Sequence, residues 1–100
     1  MTYKKTEPTI TYSNFFHKVK GTTRFSSLTG KAYKVVALEG DIMSFIRMGT
    51  GEEWKMDLRS VHHAYLELDD FKTANFRPYV NRTHSPALGL LLSSGLLKQN

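Results

Sequence analysis

The chain has 100 residues, with 14 Lys and Arg against 9 Asp and Glu, a net charge of +5, and no cysteine. That length supports one domain, which buries only about 60–65% of its unfolded surface; the missing cysteines exclude a disulfide framework and a thiolate metal site. Apolar residues make up 40% and charged residues 23%, the balance of a folded globular protein rather than a disordered chain.

Residues 1–10 read as a flexible lead-in to a single α+β domain over 11–100, because Lys4 to Pro8 is polar and unpatterned. Thr2 to Pro8 has no apolar core of a secretory leader, so the expected location is cytoplasmic. Ser13 or Asn14 can cap a short helix that ends at Gly21, with Phe15, Phe16 and Val19 turned inward.

From Thr22 to Leu58 the punctuation is that of a four-stranded antiparallel meander. Thr29-Gly30, Glu39-Gly40 and Gly49-Thr50-Gly51 mark turns about ten residues apart, between strands at roughly 23–28, 32–38, 42–48 and 53–58. The last strand alternates, with Trp54, Met56 and Leu58 on one face and Glu53, Lys55 and Asp57 on the other. The second and third are apolar on both faces, which predicts either central positions covered on two sides or a sheet curled into a small barrel.

After Leu58 the period becomes helical, with Leu58, Val61, Tyr65 and Leu68 on one stripe and Asp57 as the N-cap. Phe71 to Pro78 reads as a turn or short helix that Pro78 stops. The final helix, 86–97, is written at both ends, by Ser85 as cap, Pro86 in its first position and Gly95 at its end. The expected fold is therefore the meander with a short N-terminal helix and two or three C-terminal helices. Its longest apolar run, Ala87 to Leu92, is far below the roughly 20 residues of a membrane span, so no membrane partner is expected.

Charge is segregated along the chain. Residues 1–35 carry seven Lys and Arg against Glu7, a net +6; residues 36–70 carry three against eight acids, a net −5; residues 71–100 carry four and no acid, a net +4. Basic ends folded onto one side make a surface that attracts phosphates, whereas an acidic middle that pairs with them leaves no such surface.

Catalytic and metal constellations are weak. His62 and His63 are neighbours about 100° apart on a helix and cannot form an i, i+4 metal pair; His62 falls on the apolar stripe and reads as a core or border residue. Ser85, next to His84, is explained as a cap, and Asp69-Asp70 supplies too few ligands for a cation. No metal, cofactor or catalytic residue is expected. A small-ligand pocket lined by His62, Tyr65 and Trp54 lacks an activating partner.

Phe71, Lys72, Phe76, Arg77, Tyr79, Arg82 and His84 interleave cations with rings, which is how single-stranded nucleic acid is held: bases stack on aromatic faces while Lys and Arg neutralise phosphates. Arg82 and the start of the last helix can together attract an anion. The expected function is a non-enzymatic nucleic-acid-binding module using Lys18, Lys20, Arg24, Lys72, Arg77, Tyr79, Arg82 and His84. The alternative is a protein-interaction module or homodimer that docks through the apolar helix 86–97, with Leu88, Leu91, Leu92 and Leu96 as contacts.

Overall fold

The computed structural model describes residues 2–99. In chain order it runs through strand β1 (Tyr3–Lys5), helix α1 (Tyr12–Lys20), strands β2 (Arg24–Ser26), β3 (Ala32–Glu39), β4 (Ile42–Arg47) and β5 (Glu53–Asp57), helix α2 (Leu58–Glu67), a 3-10 turn (Thr73–Phe76), helix α3 (His84–Ser93) and strand β6 (Leu97–Gln99). Strands β2 to β5 pair antiparallel in sequence order, so the expected meander is present. It stays open, with β2 and β5 as its outer strands, and the barrel alternative is corrected.

The two-sided apolar pattern of β3 has a local cause. Its register with β4 slips between Val35 and Ala37, so Val36 sits in a bulge and is 47% exposed. A bulge adds one residue to one strand. Tyr33, Val35 and Leu38 then all pack on the core. Glu39 pairs with Ile42 across a two-residue loop in which Gly40 has φ +59°, a conformation that glycine adopts without a side-chain penalty.

The helices pack on the sheet face that carries Phe25, Tyr33, Phe45, Met43 and Met56, all buried. Helix α1 starts at Tyr12, earlier than expected, because Thr11 Oγ1 accepts from the Asn14 N–H at 3.2 Å. It buries Phe15 and Val19 against α2. Helix α2 starts as expected, with Asp57 Oδ1 accepting from the Arg59 N–H at 2.9 Å. His62 is buried and its Nε2 lies 2.8 Å from the Ile10 carbonyl. Tyr65, fully buried, donates to the Leu96 carbonyl at 2.8 Å. Both side chains belong to the core, where they are bonded to backbone carbonyls rather than lining a pocket with Trp54.

Helix α3 begins at His84, not Pro86, and Thr83 stands at its cap position without a side-chain cap bond. Pro86 is thus the third helical residue, where the missing N–H removes no intrahelical bond. At the other end Gly95 has φ +80°; its N–H donates to Leu92 O at 3.2 Å and the Leu96 N–H donates to Leu91 O at 3.0 Å. This is the paired closure of a Schellman cap, and it turns Leu96 and Leu97 back into the core, 0% and 2% exposed.

The leucines expected as docking contacts are covered by the chain itself. Leu88, Leu91 and Leu96 are fully buried and Leu92 partly so, because α3 is flanked by β2 and by the 3-10 turn. A Cβ on Gly89 would stand 2.2 Å from the Ser26 carbonyl oxygen, so the bare glycine sets how closely helix and strand approach. An all-round apolar helix is explained by burial on several sides.

The stretch expected as a lead-in carries a strand. Residues 3–5 form β1, which pairs antiparallel with β6 in the register Tyr3↔Gln99, Lys4↔Lys98 and Lys5↔Leu97. Thr6 donates to Leu96 O through its backbone at 3.0 Å and to Gly95 O through its hydroxyl at 2.8 Å, and Ile10 is buried. Residue 1 lies outside the described residues. No helix among those described is long and apolar enough to cross a membrane.

Candidate nucleic-acid interface

The turns β2–β3 and β4–β5 lie at the same end of the sheet, as antiparallel order requires. At that end Tyr33 of β3 pairs with Arg47 of β4, and Phe45 of β4 pairs with Trp54 of β5. Residues paired across strands share a face, as do residues two apart along a strand. Arg47 and Trp54 therefore lie on the same sheet face as the buried Tyr33 and Phe45. The start of α3 closes over them. Lys31, Tyr33, Arg47, Trp54, Arg82, His84, Ser85 and Pro86 line one hollow of about 250 Å³.

The hollow gathers positive charge. Lys31 and Arg82 are exposed, Arg47 and His84 half-buried, and none of the four has a carboxylate in ion-pair distance among the described residues. The acids nearest in sequence, Glu52 and Glu53, are exposed, and Glu53 pairs with Ile46 on the opposite face of the sheet. His84 Nδ1 lies 2.7 Å from the Asn81 carbonyl, which as the Nδ1–H tautomer leaves Nε2 open. The N–H groups of His84 and Ser85, first-turn residues of α3, have no intrahelical acceptor. Burial pushes the Tyr33 hydroxyl pKa above its ordinary value, with Arg47 pulling it part of the way back. The indole N–H of Trp54 is buried with no acceptor among the described residues.

Comparison with protein-family models, with curated proteins and with solved structures returns no match. The functional reading therefore rests on the arrangement itself.

Of the residues expected to bind nucleic acid, Arg82 and His84 share this hollow. Arg24 lines a second one with Phe25 and Met48, and Tyr33 is common to both. The others are placed elsewhere. Lys18 and Lys20 stand on α1, where Lys18 is ion-paired with Glu7. Lys72 lies 3.7 Å from Asp70 and borders an apolar hollow with Tyr3, Leu28, Phe71 and Leu92. Arg77 is exposed beyond the end of the 3-10 turn, and Tyr79 is partly buried against the core. Phe71 and Phe76 are core residues, 3% and 0% exposed, so neither ring offers a stacking face.

Sequence reading passed over Lys31 and Arg47 as binding residues, and weighed Trp54 only for a small-ligand pocket. Their signal was the strand register: a cation following Phe45 by two shares that ring's face and ends at the sheet's rim. Two of the three ion pairs among the described residues join groups within one charge segment, Lys18–Glu7 and Arg59–Asp41; the third, Lys72–Asp70, joins two segments through exposed side chains. Folding thus leaves most of the acidic middle unpaired with the basic ends.

Proposed function

We propose that the chain is a non-enzymatic nucleic-acid-binding module that engages single strands at the start of α3. The observation that carries this reading is the hollow in which Lys31, Arg47 and Arg82, without carboxylate partners among the described residues, stand with His84 around the half-buried Trp54. Cations of this kind release counterions when they neutralise phosphates, and a ring beside them offers a base a stacking face. Arg24 pairs with Lys34 and so projects from the opposite face of the sheet to Tyr33, outside this surface. A duplex is the poorer fit, because reading a groove needs a protruding helix or ribbon, and the start of α3 is set against the sheet.

Fluorescence anisotropy with single- and double-stranded oligonucleotides tests the reading. With about three phosphates neutralised, single-strand affinity should fall roughly 20-fold between about 50 and 200 mM salt. R47Q and R82Q should each flatten that slope by about 0.7. No binding at low salt, or binding indifferent to salt, rejects the proposal.

A further inference from the structure

The hollow differs from a surface track in being small and closed on one side by α3. At about 250 Å³ it lies just below the roughly 300–1,000 Å³ of sites for drug-sized ligands. One phosphate with one ring fills it, and a run of strand does not.

Charge narrows the ligand further. A phosphodiester inside a strand carries one negative charge, whereas a terminal phosphate monoester carries about −1.5 to −2 at neutral pH. Lys31, Arg47 and Arg82 bring three permanent positive charges to one rim without an acid among their ion-pair neighbours. The free first-turn N–H groups of α3 add donors and a favourable dipole on the same wall. Bare phosphate would leave the Trp54 side chain on the wall of the hollow uncovered.

We propose that this hollow is a binding site for a nucleoside monophosphate group, its phosphate held by Lys31, Arg47, Arg82 and the start of α3, its base against the half-buried Trp54. The proposal deepens the nucleic-acid reading and rests on it for one source of the ligand, the 5′-phosphorylated end of a single strand. The other source is a free mononucleotide.

Trp54 is the only tryptophan in the chain, so its emission reports on the site directly. Near pH 7.5, where the monoester is a dianion, adenosine 5′-monophosphate should change that emission saturably, and adenosine and inorganic phosphate should each bind at least about tenfold more weakly. A roughly 12-nucleotide single strand should bind at least about tenfold more tightly with a 5′-phosphate than without one. R82Q, at an exposed position, and R47Q should each weaken the mononucleotide about tenfold; circular dichroism shows whether each variant is folded.

The outcomes separate the two readings. Equal, salt-dependent binding of both oligonucleotides, with no saturable response to the mononucleotide, overturns the site and spares the nucleic-acid reading. A mononucleotide response without oligonucleotide binding supports the site, makes a free nucleotide its ligand and overturns the nucleic-acid reading. Inorganic phosphate matching the mononucleotide overturns the site as drawn, and silence from every probe overturns both.

Discussion

Asp41 ties three elements together. One carboxylate oxygen accepts from the Tyr12 hydroxyl at 2.7 Å, the other from Arg59 Nε at 2.9 Å, and the Arg59 guanidinium lies 4.3 Å from the centre of the Tyr12 ring. Tyr12 opens α1, Arg59 stands in the first turn of α2, and Asp41 sits in the β3–β4 loop. The hydrogen bond from Tyr12, and then that from Arg59, hold the Asp41 carboxyl below its ordinary pKa. Burial first, and the bond to Asp41 next, push the Tyr12 hydroxyl up. A carboxyl with a depressed folded pKa contributes stability that is complete above its unfolded value, about 3.9, and is lost as pH falls through the folded one. D41N should therefore lower the urea midpoint at pH 7, and its deficit should shrink steadily below about pH 4. Equal deficits at pH 7 and pH 2.5 would mean that the charge is not what binds these elements.

At the scale of elements, Gly89 shows how one residue sets a packing distance. Alanine in a helix interior is favoured over glycine by about 0.8–1.0 kcal/mol, so propensity alone predicts that G89A stabilises. The added Cβ, however, would meet the Ser26 carbonyl oxygen at 2.2 Å and its carbon at 2.9 Å. These are backbone atoms that no rotamer change can clear, and overpacking of this kind costs typically about 1–3 kcal/mol. With two backbone atoms closer than 3.0 Å the cost falls in the upper half of that range, so G89A should lower stability by about 1–2 kcal/mol net in a urea titration, and an unchanged or raised midpoint would mean that α3 and β2 are not in this close contact. The same helix explains what the sequence could and could not reveal. Its Gly95 cap was legible because a left-handed end needs glycine. Its burial was not, because an all-round apolar pattern reads the same whether the helix is covered by its own chain or by another. The meander was legible from turn glycines about ten residues apart. The ribbon of β1 and β6 was not, since two three-residue strands from opposite chain ends show no period, and Lys4 facing Lys98 is a pair that local rules disfavour.

For the whole molecule, the convergence of Lys31, Arg47 and Arg82 has an energetic cost in the absence of a ligand. A net charge of +5 with three side-chain ion pairs among the described residues leaves self-repulsion largely uncompensated, and binding sites are commonly kept at the expense of stability. Lys31 isolates this effect. It is exposed in the β2–β3 turn, where its backbone N–H donates to Ser27 Oγ at 3.2 Å and its carbonyl accepts from the Ser27 N–H at 2.9 Å. Removing the ammonium charge leaves both bonds in place. K31Q should raise stability by up to about 0.5 kcal/mol, the scale of one exposed charge interaction. The gain should be present at about 10 mM salt, where the screening length is about 30 Å, and vanish at about 1 M, where it is about 3 Å. Chemical denaturation in urea, which adds no ionic strength, measures both. A K31Q variant less stable than the wild type at low salt would show that Lys31 is held by attraction, and a hollow whose rim cation is already neutralised has little charge to offer a phosphate.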